Sequence, residues 1–391
     1  MPVTCIRGPR QAGKTTLAKQ CFPTYKYFLC DREATANSIN ADPEAFIADN
    51  LATAPGIIID EFQLCPRILP AIKIYVDETG SQGQIILTGS QNYLMMANVT
   101  ESLAGRVVLF TILPPSINEL KQSKILPDNI DELMFKGSFP RLHADTNLST
   151  EQFYLDYIDT YIQRDIKTLQ KLPDEAQFLK FLKLCAGRCG QVLNVNTLAA
   201  DAKIDVKTAN QWLSLLSSCY IIYTLSPHYE NFNKQLTKSP KLYFTDTGII
   251  CSLLGINSPE ALANHKIRGA LFENFVITES SKWYYTSSST RPALYFWCDE
   301  QKHEIDLIVD LAGTLVPLEI KSANVARNNM TDVISFWHDL TGHPLDQSYV
   351  IYTGPDAISP TGPHFISWQN IPELFTKFYA PTKKKSPHSD E

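Results

Sequence analysis

The 391-residue sequence lacks the features of several large protein classes. No stretch approaches the roughly 18 consecutive apolar residues that a membrane-spanning helix requires. The N-terminus has no basic start followed by an apolar segment, so nothing in it resembles a secretion signal. No internal repeat is present. The sequence therefore predicts a cytoplasmic protein that does not enter a membrane.

Cysteine and positive charge also give little indication of function. Of the nine cysteines only Cys185 and Cys189 lie close together, and no neighbouring Cys/His pair completes a zinc site. The net charge of −6 does not favour a nucleic-acid binder as a whole, although it leaves room for a local basic groove. A hydrophobic content of 44% and a charged content of 19% are typical of a globular protein, and the length predicts two or three domains.

A phosphate-binding loop is the clearest motif present. Gly8, four variable residues, Gly13, Lys14 and Thr15 stand between a predicted strand at 3–6 and a predicted helix. The glycines let successive backbone amides face a polyphosphate, Lys14 reaches its outer phosphates, and the Thr15 hydroxyl ligates Mg²⁺. The predicted nucleotide-binding residues are Gly8, Pro9, Arg10, Gln11, Ala12, Gly13, Lys14, Thr15, Thr16 and the later Asp60.

Two carboxylates follow an apolar run at 56–59 that is typical of a central strand in a parallel sheet. Ligands of such sheets bind at the carboxyl ends of the strands. Asp60 is therefore predicted to hold Mg²⁺, and Glu61 is predicted to polarise the water that attacks ATP.

Two more predicted strands extend this N-terminal pattern. Residues 84–87 precede Thr88-Gly89-Ser90-Gln91, where a polar side chain is placed to contact the γ-phosphate, and Arg106 precedes a strand at 107–110. Arg106 has two interpretations: a cation that neutralises the transition state in its own or a neighbouring subunit, or a surface arginine in a turn. Strands alternating with helices over residues 1–113 predict a doubly wound parallel α/β sheet.

The order of motifs along the chain is more specific than any one of them. Those motifs are residues 8–16, 57–61, 87–90, 102–106, Pro114-Pro115-Ser116 with Glu119, 137–140, 161–165, 241–248, 269–274 and 304–321. Together they resemble the AAA-type ATP-binding proteins of bacteria and archaea that end in the domain of unknown function 4143. The resemblance covers nearly the whole chain. It implies an AAA-type P-loop NTPase with ATP and Mg²⁺ as ligands.

In the middle of the chain, predicted helices replace the alternation of strands and helices. Residues 121–172 are predicted to form a helical linker, in which Arg164-Asp165 has two interpretations, a pair that couples domains or, as the favoured one, a surface charge pair. Beyond it, Asp174, Asn196 and Asp205 are predicted to cap three helices, and strands follow at 220–225 and 241–244. Three helices followed by two strands are typical of a winged helix-turn-helix.

The third of these helices bears on nucleic-acid binding, because a winged helix-turn-helix often places it in the DNA major groove. Its predicted outward residues Lys207, Asn210 and Gln211 carry little positive charge. Since phosphate contacts dominate affinity for DNA, this pattern favours an interdomain or dimer module over an independent DNA reader.

A second set of chemically active residues lies near the C-terminus. A predicted helix at 267–279 carries Glu273, a strand at 304–310 carries Asp306, and a strand at 314–321 carries Glu319 and Lys321. Side chains two apart on a strand share a face, so Glu319 and Lys321 point the same way and Asp306 can meet them. The pattern resembles the PD-(D/E)XK nucleases. It predicts Glu273, Asp306 and Glu319 as Mg²⁺ ligands and Lys321 as the catalytic cation.

The predicted organisation is an α/β multidomain protein. Its parts are an AAA-type ATPase domain at 1–120, the linker at 121–172, a winged-helix-like domain at 173–250, a nuclease-like α/β domain at 251–380 and a solvated tail at 381–391.

Two functions remain open at this level. In the first, an ATPase controls nuclease-like chemistry on nucleic acid, with DNA preferred to RNA. In the second, the protein is a non-catalytic ATP-dependent switch or scaffold, and its C-terminal carboxylates only bind. Both are compatible with a homo-oligomer. The long C-terminal region disfavours a small-molecule kinase.

Overall fold

The structure is a computed structural model that describes residues 1–89, 99, 101–162, 175–228, 239–287 and 292–379, without the side chains of residues 161, 162 and 328. Three β-sheets are present in these residues, two of five strands and one of two. The predicted residues Ser90, Gln91, Arg164, Asp165 and Asp174, and the predicted tail at 381–391, lie outside the described residues.

The N-terminal sheet has five parallel strands in the order β2-β3-β4-β1-β5. The strands are β1 (Val3–Arg7), β2 (Lys26–Leu29), β3 (Ile57–Asp60), β4 (Ile85–Thr88) and β5 (Val107–Thr111), and the helices between them are α1 (Lys14–Cys21), α2 (Glu33–Ala41), α3 (Pro43–Leu51) and α4 (Ile68–Thr79). Ile57 and Ile59 pack in the cluster that holds α3 and α4, whereas Ile58 packs with Ala18 of α1. Helices therefore cover both faces, and the predicted parallel α/β sheet is confirmed.

Short helices follow the first sheet: α5 (Ile117–Gln122), α6 (Ile130–Lys136), α7 (Pro140–Ala144) and α8 (Thr150–Tyr157), which ends in a π-helical turn (Ile158–Ile162). Ser116 and Glu119 form a capping box at the start of α5. Within its described part, the region predicted as a helical linker, 121–172, holds several short helices. Gly137, with a φ of 68°, and Pro140, at the first position of α7, end one helix and begin another.

Three helices and a two-stranded antiparallel sheet come next, in the predicted order: α9 (Glu175–Ala186), α10 (Val195–Ala202), α11 (Val206–Ser218), β6 (Ile222–Leu225) and β7 (Lys241–Phe244). Asp205 caps α11 as predicted, accepting a hydrogen bond from the Thr208 amide at 2.9 Å. The cap of α10 is Asn194 rather than the predicted Asn196, because the helix starts one residue before Asn196.

The C-terminal sheet is mixed, with strand order β12-β11-β10-β9-β8. Its strands are β8 (Leu294–Cys298), β9 (Glu304–Leu311), β10 (Thr314–Lys321), β11 (Tyr349–Tyr352) and β12 (His364–Ser367), and the helices of this region are α12 (Thr247–Leu253), α13 (Pro259–Ala263), α14 (Arg268–Ser287), α15 (Asp332–Thr341) and α16 (Ile371–Tyr379). Strands β8, β9 and β10 form an antiparallel meander, and β11 joins β10 in parallel after α15. The sequence analysis did not predict β12.

The helix α14 is longer than the predicted 267–279 and is, at 20 residues, the longest helix in the described part of the chain. Neither α14 nor another described helix is both long and apolar enough to cross a membrane.

Buried apolar residues fall into separate clusters. The N-terminal sheet has its own clusters, between residues 3 and 112. One cluster runs from Ile117 to Phe375, through the middle helices and across one face of the mixed sheet. Another lies between the opposite face of that sheet and α15.

Asn274 joins α14 to the two-stranded sheet. This fully buried side chain accepts a hydrogen bond from the Phe244 amide at 2.7 Å and donates one to the Phe244 carbonyl at 2.9 Å. It also accepts a bond from the Cys189 thiol at 3.1 Å. The side chain thus fixes the position of β7 relative to α14.

The fold therefore depends on these bonds, and Asn274→Leu is expected to lower the free energy of unfolding by about 2–4 kcal/mol. The substitution preserves volume but leaves the buried Phe244 amide without a partner and the Phe244 carbonyl with only the Thr278 hydroxyl, at 3.3 Å. Urea denaturation followed by tryptophan fluorescence measures the change. Asn210→Leu, at an exposed position of α11, is the control and is expected to change stability by less than about 0.5 kcal/mol. Equal stability of the Asn274→Leu and parent chains would contradict the assignment.

Candidate functional site

The phosphate loop has the backbone geometry that its glycines were predicted to provide. Gly8 has a φ of 146°, and a Cβ there would lie 1.9 Å from the Ile112 carbonyl oxygen. Gly13 has a φ of 93° and immediately precedes α1. A side chain at Gly8 is thus excluded by the neighbouring backbone, and one at Gly13 by the dihedral angle. The loop ends at a helix N-terminus, which favours a bound anion.

Lys14 lies within this loop. Its side chain is 8% exposed, and its ammonium donates hydrogen bonds to the carbonyls of Gly8 at 3.0 Å and Pro9 at 2.7 Å. The positive charge is thereby held beside the amides that would face the phosphates.

Asp60 is the hydrogen-bond centre of the same site. Its carboxylate accepts bonds from the hydroxyls of Thr15 at 2.9 Å, Tyr27 at 2.8 Å and Thr88. Burial and the bond to Asp60 raise the pKa of Tyr27, so that its hydroxyl stays protonated and acts as a donor. The structure therefore brings the two predicted Mg²⁺ ligands Thr15 and Asp60 into direct contact, and it places Thr88 beside them.

Glu61 faces the same space. It has a left-handed φ of 54° directly after β3, and Gln63 donates a hydrogen bond to its carboxylate. A cavity of about 540 Å³ opens here. Its lining residues are Arg10, Gln11, Gly13, Lys14, Thr15, Thr16, Glu61, Pro140, Arg141 and Ala144.

The predicted C-terminal carboxylates also come together. The Lys321 ammonium lies 2.5 Å from Glu319 and 3.5 Å from Asp306, and the Asp306 carboxylate accepts a bond from the Ile320 amide at 2.8 Å. Glu319 is only 1% exposed. Three of the four predicted residues thus form one group on adjacent strands.

The fourth, Glu273, is connected to the group through Glu304 and Lys241, to which the sequence analysis assigned no role. Carboxylate oxygens of Glu273, Glu304 and Asp306 lie within 4.8 Å of one another. Lys241 of β7 enters between two of them, with its ammonium 2.8 Å from Glu273 and 2.5 Å from Glu304. The Tyr243 hydroxyl donates to Glu273 at 2.6 Å. We call Glu273, Glu304, Asp306, Glu319, Lys241 and Lys321 the acidic cluster.

Burial and mutual repulsion raise the pKa values of three carboxyls in the acidic cluster. Burial and the charge of Asp306 raise the pKa of Glu273 to about 7, against the opposing effect of Lys241. Burial likewise raises the pKa of Glu304, and burial and Asp306 raise that of Glu319 well above its usual range. An additional cation would relieve this repulsion.

One oxygen of the acidic cluster fits a divalent cation. Glu319 Oε1 is buried and makes no hydrogen bond. A buried carboxylate oxygen without a donor is costly, and it is a ligand of the kind that Mg²⁺ prefers. The residues that would hold such an ion are Asp306 and Glu319.

Comparison with known proteins supports a three-part chain. An AAA domain matches residues 1–121, the domain of unknown function 8612 matches residues 127–260, and the domain of unknown function 4143 matches residues 268–371. The uncharacterized protein Rv2008c of Mycobacterium tuberculosis is 30% identical over 325 residues, which cover 82% of this chain and 70% of that protein. The chain belongs to the family of AAA proteins with a domain of unknown function 4143. An uncharacterized protein of Haemophilus influenzae is 21% identical over 280 residues, covering 63% of this chain and 68% of that protein.

Solved structures add little beyond this family. A signal transduction ATPase with numerous domains (STAND), carrying a tetratricopeptide repeat sensor, from Pyrococcus horikoshii aligns at 13% identity and a TM-score of 0.24, over 73% of this chain and 45% of that one. Protein VC1899 from Vibrio cholerae aligns at 11% identity and a TM-score of 0.23, over 96% of both chains. These scores are too low to carry an argument, and the chain spans less than half of the Pyrococcus protein.

Within the AAA domain, Arg106 does not lie with the other predicted residues. Its guanidinium pairs with Asp77 of α4, and its carbonyl accepts a bond from the amide of Val3, where β1 begins. The phosphate loop follows the other end of β1, about 15 Å away for a five-residue strand. Arg106 therefore does not reach the loop of its own chain, and its role in a neighbouring subunit stays a prediction.

Arg141 is an arginine from outside the phosphate loop that lies beside it. It is exposed on α7, beyond the AAA domain match, and lines the same cavity as Lys14 and Thr15. The sequence signal was its place directly after Gly137-Ser138-Phe139-Pro140, a motif quoted for the family resemblance but given no role.

Because Arg141 supplies a cation to this cavity, Arg141→Ala is expected to weaken ATP binding about tenfold. Isothermal titration with Mg²⁺-ATP measures the change, and Lys14→Ala, which should abolish binding, provides the lower reference. Arg188→Ala is the matched control, since Arg188 pairs with Asp201 in the middle helices. An affinity for ATP equal to that of the parent chain would show that Arg141 does not contact the nucleotide.

Proposed function

We propose that this protein is an ATPase whose nucleotide state controls Mg²⁺-dependent phosphodiester cleavage by its C-terminal domain. The observation that carries the first half is the hydrogen bond between Thr15 and Asp60, beside the buried Lys14. These three groups are the ones that hold Mg²⁺ and the outer phosphates in P-loop ATPases.

Each residue has a distinct part in the proposed hydrolysis. Lys14 and the loop amides bind the phosphates, and Thr15 and Asp60 would hold Mg²⁺, which neutralises charge on the β- and γ-phosphates. Glu61 orients the attacking water and accepts its proton. Arg141, on α7, contacts the phosphates from its place in the lining of the cavity.

Glu61→Gln tests this assignment. Because a glutamine cannot accept the proton, ATP turnover is expected to fall by at least about 100-fold while ATP affinity stays within about twofold of the parent. Phosphate release and isothermal titration measure the two quantities. Glu78→Gln, at an exposed position of α4, is the control. Unchanged turnover in the Glu61→Gln chain would remove Glu61 from the mechanism.

The second half of the proposal is supported by the meeting of Asp306, Glu319 and Lys321. They lie on the neighbouring strands β9 and β10. In this unit α14, which carries Glu273, is followed by the antiparallel meander β8-β9-β10, then by α15 and by β11, which is parallel to β10. In this arrangement Asp306 and Glu319 would hold Mg²⁺ beside the scissile phosphate, and Lys321 would orient the attacking water.

The helix α14 supports coupling between the two sites. Near one end it carries Glu273, and nine residues later Lys282 donates hydrogen bonds at 3.0 Å to the Ser138 hydroxyl and to the Pro115 carbonyl. Ser138 is two residues before Pro140, which lines the nucleotide cavity. A shift of α7 on nucleotide binding would therefore act directly on α14 and the acidic cluster.

The middle helices support DNA over RNA as the nucleic acid. Three helices and a two-stranded sheet follow one another as in a winged helix-turn-helix, and Lys207, Asn210 and Gln211 are exposed on α11. With a single lysine among these three residues, contacts from α11 would add little affinity alone.

A second candidate function is a nucleotide-dependent scaffold that binds nucleic acid or protein without cutting it. One observation favours it: Lys241 already neutralises two carboxylates of the acidic cluster. In that case nucleotide would change assembly or binding, and no phosphodiester bond would break.

Asp306→Asn separates the two candidates. The parent chain is expected to cleave DNA with Mg²⁺ or Mn²⁺, at rates that differ between ATP and ADP, and Asp306→Asn is expected to lower the rate at least about 100-fold by removing a metal-binding charge. Gel assays on DNA and RNA measure cleavage. Asp310→Asn is the matched control, since Asp310 lies on the same strand but bonds the turn amide of Gly313. Equal cleavage by the Asp306→Asn and parent chains would exclude the site, and nucleotide-dependent oligomer size without cleavage would support the scaffold.

A further inference from the structure

Lys241 is unusual among the charged residues of the acidic cluster because it comes from outside the mixed sheet and α14. It lies on β7 of the two-stranded sheet and is 2% exposed, yet its ammonium contacts Glu273 and Glu304. Burial lowers its pKa, but attraction to Glu273, Asp306 and Glu304 outweighs this effect and raises it. Lys241 therefore carries its charge throughout the ordinary pH range.

The strand that carries Lys241 is held firmly. Asn274 bonds both the amide and the carbonyl of Phe244, and Leu242, Tyr243 and Phe244 have no exposed surface. The preceding strand β6 continues into a connection with β8, where the His228 amide donates to the Phe296 carbonyl at 2.7 Å. Withdrawing Lys241 would break these contacts and expose apolar residues. The Lys241 side chain is thus a fixed part of the acidic cluster and does not leave it.

The acidic cluster is not fully compensated by its lysines. Four carboxylates meet two ammonium groups, so two negative charges remain when all four are ionised. The carboxylate oxygen that lacks a partner lies on the Lys321 side of the acidic cluster, where Glu319 Oε1 is buried without a hydrogen bond. On the Lys241 side, Glu273 receives bonds from Lys241 and Tyr243.

We propose that Lys241 is a built-in cation that takes the place of a metal ion between Glu273 and Glu304, so that the acidic cluster holds a single divalent cation, at Asp306 and Glu319. An ammonium is a compact charge with three donors, and it satisfies two carboxylates without the ligand shell that a divalent ion requires. This inference deepens the proposed function, on which it rests for the divalent cation at Asp306 and Glu319. Under this inference the metal ligands of the acidic cluster are two, Asp306 and Glu319, rather than the three predicted, because Glu273 is paired with Lys241.

Counting bound Mn²⁺ ions tests this inference without measuring cleavage. The full-length chain is titrated with Mn²⁺ and followed by electron paramagnetic resonance, without nucleotide and in an Asp60→Asn background, so that the phosphate site contributes no ion. One bound Mn²⁺ per chain is expected. Glu319→Gln should weaken its binding at least about tenfold, whereas Glu304→Gln should change it less than about twofold.

Lys241→Met is the complementary variant. Removing the ammonium while keeping an unbranched side chain one atom shorter frees Glu273 and Glu304, so the variant is expected to bind a second Mn²⁺. It should also gain more thermal stability from Mn²⁺ than the parent chain does, since the ion compensates two otherwise unpaired carboxylates.

The results that would overturn the inference are distinct. They are two ions or none bound to the parent chain, a loss of binding in Glu304→Gln as large as that in Glu319→Gln, and a folded Lys241→Met chain that still binds one ion. The Glu304→Gln and Glu319→Gln pair decides the question even where Lys241→Met does not fold. A parent chain that binds one Mn²⁺ as described but cuts no nucleic acid would contradict the proposed cleavage and leave this inference standing.

Discussion

The buried ammonium of Lys282 is the interaction on which the placement of both sites depends. At 3% exposure it must be fully compensated, and its partners come from separate segments: Glu279 at 2.7 Å, Ser138 and the Pro115 carbonyl. Glu279 in turn accepts a bond from the amide of Ile117 at 2.7 Å. Loss of Glu279 would leave a buried charge unpaired, which is far more costly than the loss of a surface ion pair, and loss of either neutral partner would leave a buried ammonium hydrogen without an acceptor. The segment after the first sheet, the turn before α7 and α14 are thereby held in one arrangement.

Local sequence rules predicted a group of residues around the phosphate loop that the structure brings together, because these residues are close along the chain or at the ends of adjacent strands. The two loop glycines, the lysine and threonine that begin α1, and Asp60 at the end of an apolar strand each have a positional reason. The same applies to Glu319 and Lys321, which share a face through the two-residue period of a strand. Asp205 was likewise identified as a helix cap from its residue type and position.

The missed residues depend on contacts between distant parts of the chain. Lys241 precedes Glu304 by 63 residues, and only the pairing of β7 with α14 and the meander brings them together. Arg141 faces the phosphate loop because α7 folds back over it, an approach that periodicity cannot predict. One of the two interpretations of Arg106 placed it near the phosphates, but in its own chain it lies away from them. Its position in the motif gave no information on whether it lies at the amino or the carboxyl ends of the strands. Side-chain chemistry alone did not distinguish an arginine beside the phosphates from one paired with Asp77.

The separation of the apolar interiors has a mechanical consequence. The clusters of the first sheet end at residue 112, and the large cluster begins at Ile117. Just after the first sheet, polar bonds from α14 hold the chain: Lys282 donates to the Pro115 carbonyl, and Glu279 accepts from the Ile117 amide. Polar bonds can exchange partners with water, whereas a shared apolar core cannot be sheared without opening voids. The first sheet and the rest of the described chain therefore have separate apolar interiors, and a displacement of one relative to the other would cost less free energy than shearing a single shared core.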